Sequence, residues 1–400
     1  MLSTMAMMAA AWVCAPQDET SSMAIVAETL HTAAGEAIAN GVVWIEDGKI
    51  KAVGSAGSIE LPAGIETLRA KVATPGLVDA RSVVGLAGQL NSAHDQDQLE
   101  RSAPIQPELR AIDAYNAREP LVTWIRSFGV TTVHTGHGPG AVVSGQTLIA
   151  KTAGETVEEA VMVPFAMVAA TLGEGALGSD GKPPGTRAKA VALLRQQLVE
   201  AGEYATDRTS EKPPARDLRK EALAAVLAGE RPLLVAAHRA HDIGAALRLA
   251  DEFGIRLVLD GAAEAYLMMD EIAASKVPVI VHAPMKRASG EAENLSMETP
   301  HVLQQAGLQI ALQSGFEGYV PKTRVVLFEA GIAARYGCSF GDALRLVTID
   351  AARILGVDDR VGSLEVGKDG DVALYDGDPF EYTSHCTAVV IEGAVVHSRE

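Results

Sequence analysis

Hydrophobic positions change their rhythm twice along the chain. Between Met23 and Ile59 they come in short bursts, Ala24-Ile25-Val26-Ala27, Gly41-Val42-Val43-Trp44-Ile45 and Lys49-Ile50-Lys51-Ala52-Val53, with Asp47-Gly48 between the last two. An Asp-Gly step between apolar runs suits a tight hairpin, so a small antiparallel sheet is predicted to start the fold. From Val72 onward, fully apolar runs alternate with helix-patterned ones. Strands are predicted over 72–78, 129–133, 161–170, 233–237, 256–259, 277–281 and 309–312, and helices over 188–203, 217–228, 242–253 and 263–274. Asp242 reads as an N-cap, and Gly229 and Gly254 as helix stops. Seven strands are legible; an eighth is not evident, and 141–149 is the candidate for it. After a helix-like stretch over 341–355, β-patterned runs return at 371–375, 388–391 and 394–396, the last two joined by Glu392-Gly393. Repeated strand–helix units predict a parallel barrel or a doubly wound sheet. Strand-rich segments at both ends predict one small sheet domain assembled from the two termini, with the β/α unit as an insertion.

Composition refines this. In 400 residues, 48% hydrophobic and only 4% aromatic, the core must be built of small aliphatic side chains, as buried parallel sheets prefer. Lys plus Arg number 34 against 51 Asp plus Glu, a net charge of −17 with no basic run, which argues against nucleic acid and anionic membranes as partners. Cys14, Cys338 and Cys386 show no C-x-x-C spacing, so neither a zinc knuckle nor a disulfide scaffold is expected; Cys338 reads as core. Residues 1–21 stand apart. An apolar run from Met5 to Val13, a small-residue step at Val13-Cys14-Ala15 and a polar stretch after Pro16 read as the end of an export signal, with a disordered tail as the alternative. Export or a periplasmic location is favoured over the cytoplasm, and no integral membrane segment is expected.

Three motifs in order carry a resemblance. Ile45-Glu46-Asp47-Gly48-Lys49-Ile50-Lys51-Ala52-Val53-Gly54, then Thr74-Pro75-Gly76-Leu77-Val78-Asp79-Ala80, then Thr348-Ile349-Asp350-Ala351-Ala352-Arg353 with the run from Gly362 to Asp371, are similar to the start, first barrel strand and closing segment of amidohydrolase-superfamily enzymes. Pro107-Glu108-Leu109-Arg110-Ala111-Ile112-Asp113, Gly129-Val130-Thr131-Thr132-Val133, Gly145-Gln146 and His238-Arg239-Ala240 resemble the imidazolonepropionase-like branch. The resemblance implies an α/β fold: a (β/α)8 TIM-like barrel over 71–357, plus a small composite β-sandwich domain from 22–70 and 358–400. It places the site at the carboxyl ends of the barrel strands.

The family hydrolyses carbon–nitrogen bonds, cyclic amides among them, with one or two divalent metals that activate a water. Its first-strand His-x-His pair falls here on Arg81 and Val83. Its fifth-strand first histidine falls on Ala236, its sixth-strand histidine on Asp260, and its eighth-strand aspartate on Gly315. Arginine is permanently charged and cannot ligate, and valine has no donor. The resemblance therefore implies the fold of a hydrolase with its metal site degenerate and no cofactor expected.

Polar residues still end several strands: His134, Glu174, His238, Asp260, His282 and Ser314 are candidate pocket residues with Arg81. Two readings stand. They line a polar cavity that binds a small molecule, or His134, His238, Asp260 and His282 hold a relocated zinc or iron in a working hydrolase. A third role, purely structural in a homo-oligomer, is also open. Arg81 is expected to form an internal ion pair with Asp79 or Asp260, the alternative being an anion-binding guanidinium. His134-Thr135-Gly136-His137 reads as a histidine pair in a glycine-rich turn. Gly136, Gly138 and Gly140 are followed by no Gly-Lys-Ser/Thr, and Val143-Ser144-Gly145-Gln146 lacks the first glycine of a nucleophile elbow.

Overall fold

The computed structural model describes residues 22–90, 92–178, 181–317 and 323–399. The export-signal reading, with Cys14, lies outside them. Among the described residues, sixteen strands form two sheets. Four begin the chain, β1 (Ser22–Leu30), β2 (Ile38–Glu46), β3 (Lys49–Ser55) and β4 (Glu66–Pro75). Nine follow in the middle: β5 (Leu77–Ser82), β6 (Val130–Gly136), β7 (Val143–Lys151), β8 (Val161–Val163), β9 (Val168–Thr171), β10 (Leu233–Ala237), β11 (Leu257–Gly261), β12 (Val279–Val281) and β13 (Ile310–Ala311). β14 (Val372–Tyr375), β15 (Cys386–Ile391) and β16 (Ala394–Ser398) end it.

The terminal strands make one seven-stranded sheet in the order β16-β15-β14-β4-β1-β2-β3. The β2–β3 hairpin turns at Asp47-Gly48, both at positive φ, as the sequence predicts. The Gly48 and Gly393 turns meet through Gly370, which donates to the Gly48 carbonyl and accepts from Gly393. The sheet thus curls around a core of Ile25, Ile45, Leu374 and Val390, a small sandwich built from both ends.

The second sheet runs β13-β12-β11-β10-β9-β7-β6-β5 and is nearly closed into a barrel. At the seam Ala80 donates to Leu312 and Gly315 to Arg81, while the segment at Leu346 and Val347 accepts from Leu312 and Val78. Val78, Ala80, Ile149, Ala169, Leu234, Val258, Ile280 and Ala311 fill the interior, packed on Ala351, Ala352, Ile354 and Leu355 of the helix Ile349–Leu355. Helices Arg187–Asp207, Leu218–Leu227 and Ala240–Phe253 pack outside.

Several expectations are corrected. The predicted strand 72–78 divides at Gly76: Val72 to Pro75 belong to the terminal sheet and Leu77 begins the barrel. The eighth barrel strand is β7, overlapping 141–149, and it is antiparallel to both β6 and β9, so seven parallel strands and one reversed one line the barrel. Asp242 is not an N-cap. The helix starts at Ala240, and Asp242 in its first turn accepts from Arg187 Nε at 3.1 Å. Gly254 does stop that helix, at φ 64°. Cys338 and Cys386 are buried free thiols. No helix among the described residues is long and apolar enough to cross a membrane.

Candidate functional site at the barrel mouth

Side chains alternate across a strand, so the residue two beyond each interior-facing position points the same way, one layer higher. Above Leu234, Val258, Ile280 and Ala311 stand Ala236, Asp260, His282 and Gln313, and His238 follows Ala236 at the end of β10. On β5 the ladder to β6 shifts register between Asp79 and Ser82, and from this irregular stretch Arg81 reaches the same layer. These residues line a cavity of about 40 Å³ at the carboxyl ends of the strands, together with Ser82, Val83, Lys286, Gly315 and Phe316. Gly261, at φ +81°, seats His238: a Cβ there would stand 2.5 Å from the imidazole Cε1.

Arg81 is 3% exposed and its three nitrogens are all engaged. Nε lies 3.5 Å from Asp260 Oδ2, Nη1 donates to the Ser82 carbonyl at 2.9 Å, and Nη2 donates to the His137 carbonyl. Asp260 accepts a further bond from Gln313 Nε2 at 2.8 Å. The ion pair expected of Arg81 is therefore made with Asp260. Asp79 lies below, where it accepts from the backbone of Arg81 at 3.3 Å and from the backbone and hydroxyl of Ser314. Burial pushes the Asp79 carboxyl up to about 6 against these bonds.

The histidines separate into two kinds. His134 is fully buried on β6, its Nδ1 2.8 Å from the Ala80 carbonyl and its Nε2 2.7 Å from the Thr147 hydroxyl. Burial and the Arg81 charge lower its pKa to about 3. A neutral ring donating from Nδ1 and accepting at Nε2 has no lone pair left for a metal. His134 and Gly136 lie within β6 rather than in a glycine-rich turn, and His137 follows at its end. His238 and His282 differ. His282 is 1% exposed, its Nδ1 is 3.1 Å from the Ala283 carbonyl, and its Nε2 finds no partner among the described residues; neither does His238 Nδ1. Burial, with the Lys286 charge nearby, lowers His238 to about 3 and His282 to about 4.

Of the residues singled out from sequence, Arg81, His238, Asp260 and His282 line the one cavity. His134 and Ser314 are buried beside it in bonds of their own, and Glu174 is exposed on a short 3-10 turn outside its lining. Sequence reasoning missed Lys286, half-buried in the loop after β12, and Glu329, a fully buried acid that accepts from the Met285 amide at 2.7 Å. Burial lowers the Lys286 pKa and pushes Glu329 up to about 7. Neither belongs to a motif; Glu329 reads simply as the polar side of an amphipathic helix.

The donor set does not fit a divalent ion. Arg81 puts a fixed positive charge where the family has a ligand, His134 is spent, and Asp260 is held by Arg81 and Gln313. No group of three or more His, Cys, Asp or Glu side chains among the described residues is placed to hold a metal.

Comparison with known proteins agrees with the architecture. The profile of the amidohydrolase family matches residues 323–397. The chain is 25% identical over 382 residues to an imidazolonepropionase of Geobacillus sp. (strain WCH70), covering 85% of this chain and 84% of that one. It is 26% identical over 353 residues to amidohydrolase tasK of Hapsidospora irregularis, covering 80% of this chain but only 36% of that longer protein. The crystal structure of an amidohydrolase from Thermotoga maritima MSB8 superposes with a TM-score of 0.89 at 30% identity, over 94% of this chain and 100% of that one. With barrel, composite sheet and relatives in agreement, the chain belongs to the amidohydrolase superfamily, in its imidazolonepropionase-like branch.

Proposed function

We propose that this chain has given up metal-assisted hydrolysis of carbon–nitrogen bonds and acts by binding a small molecule at the barrel mouth. The observation that carries this reading is the Arg81–Asp260 pair, which occupies the level of the family's metal ligands and supplies a cation of its own. A guanidinium there opposes a divalent ion by direct repulsion in a low-dielectric site. The acid that takes the water's proton is also missing, since Gly315 stands at its position. Metal, nucleophile and base are lost together.

A second reading, a hydrolase with a relocated metal, draws on the free nitrogens of His238 and His282. Two imidazoles are fewer ligands than zinc or iron takes from a protein, and both sit in the positive field of Lys286. Elemental analysis of protein purified without chelators decides between the two. Below about a tenth of an equivalent of zinc or iron per chain the first reading stands. A full equivalent, or turnover of a lactam that a chelator abolishes, overturns it.

A further inference from the structure

Among the described residues, the side chains around the cavity leave one positive charge, that of Lys286, facing it without a close partner. Arg81 is paired with Asp260, and Arg324 lies 2.8 Å from Glu317. Those two acids are the ones whose charge reaches Lys286, and each already has its arginine. Asp79 does not line the cavity and is turned to Ser314. Lys286 therefore lines the pocket with two neutral imidazoles, and the one acid among the described lining residues, Asp260, is taken.

The imidazoles add a directional demand. With Nδ1 of His282 donating to the Ala283 carbonyl, its Nε2 is left as a buried acceptor with nothing to accept from. A buried polar atom without a partner is costly, so the site is complementary to a ligand that brings a donor to it. His238 has a second free nitrogen on the same wall. The cavity of about 40 Å³ has room for a small ligand.

We propose that this pocket binds a small 2-hydroxy- or 2-aminocarboxylate, its carboxylate against the Lys286 ammonium and its hydroxyl or amino group donating to His282 Nε2. The inference rests on the reading of the mouth as a metal-free binding site and names the class of ligand. A carboxylate satisfies Lys286 by a charge-assisted bond, and the neighbouring donor satisfies the imidazole that a plain carboxylate leaves unpaired. Acetate fills only the first demand.

The test is calorimetric titration of the full chain with glycolate, acetate, inorganic phosphate and ethylene glycol. Glycolate is expected to bind one per chain, at least about fivefold tighter than acetate, with no saturable heat from ethylene glycol. Lys286→Gln is expected to weaken glycolate at least about tenfold while Lys286→Arg keeps most of the affinity, which separates loss of charge from loss of fold. His282→Phe is expected to erase the preference for glycolate over acetate. No saturable glycolate heat, tighter binding of phosphate, or affinity unchanged in Lys286→Gln overturns the proposal. Metal analysis of the same sample keeps the two readings apart. Absent glycolate binding with trace metal sinks this inference alone, whereas a full equivalent of zinc sinks both.

Discussion

Replacing Arg81 with methionine asks whether the guanidinium stands in for a metal's charge. The substitution keeps much of the side-chain volume and removes the cation from a pair whose side chains are 4% and 9% exposed. Asp260 would keep only its bond from Gln313, and the carbonyls of Ser82 and His137 would each lose a donor. Breaking a buried pair from one side costs about 3–5 kcal/mol, because the partner is left as an uncompensated charge. Unfolding entropy near 60 °C is about 2 cal/mol/K per residue, or about 0.8 kcal/mol/K for a chain of this length, so the melting temperature should fall by about 5 °C. Scanning calorimetry of Arg81→Met measures that fall. Asp260→Asn placed in the Arg81→Met background removes the stranded acid and should return about 2 kcal/mol, leaving only the loss at the two carbonyls. A melting temperature within about 1 °C of the parent's, or a double variant no more stable than Arg81→Met, would refute the reasoning.

Three further outcomes are expected. The His134 imidazole should stay neutral, protonated on Nδ1, down to about pH 4, because its pKa is lowered to about 3 by burial and Arg81; nitrogen NMR showing imidazolium at pH 5 would contradict this. Glu329, raised to about 7 by burial, is the opposite of a stabilising surface acid. Its folded pKa exceeds its unfolded one, so the stability it contributes is complete below about pH 4.5 and is lost as pH rises through about 7. Glu329→Gln should therefore gain on the parent between pH 5 and 8, by something on the order of 3 kcal/mol in chemical denaturation; a pH-independent difference would count against it. Lys151, 5% exposed at the end of β7, bridges Asp369 and Asp371 from the barrel to the terminal sheet. Asp369 keeps Lys49 and Arg360 as partners, but among the described residues Asp371 keeps no cation and only the Glu392 amide, so Lys151→Met should cost about 3 kcal/mol or more, and Asp371→Asn in that background should recover part; additive losses would disprove the coupling.

What the sequence made legible follows from what each signal depends on. The Asp47-Gly48 hairpin is a local matter of positive φ and was readable as such. The parallel strands were readable because both their faces are buried and their residues are almost all apolar. β7 was legible only as a candidate over 141–149, because it carries Ser144, Gln146 and Thr147 among its apolar residues, and the buried Thr147 is accommodated by bonds to His134 and Met167, which no pattern of one strand can reveal. The division at Gly76 was hidden for the converse reason: an apolar run reads the same in either sheet, and only the Pro75-Gly76 step marks the change. Arg81 and Asp260 were locatable because a position on a barrel strand fixes a place in the mouth. The His134/His137 pair misled because residues three apart on a strand face opposite ways. Lys286 was out of reach, since its place over the cavity depends on the path of the loop after β12.

The substitutions at the mouth make sense as a set in terms of charge. Taking a divalent cation away from a cluster of acids leaves buried negative charge, which a fold tolerates only if the acids go or a cation replaces the ion. In this chain Gly315 carries no acid, and Arg81 is a fixed cation that Asp260 balances. Among the described residues, His134, Asp79, Ser314 and Gln313 are each bonded to named partners, whereas His238 Nδ1 and His282 Nε2 are left open on the cavity wall that Lys286 shares. A protein that needed only to fold would gain stability by filling that wall with apolar side chains of similar size. Two buried imidazole nitrogens without partners on the wall of one cavity are the reason to look there for a ligand.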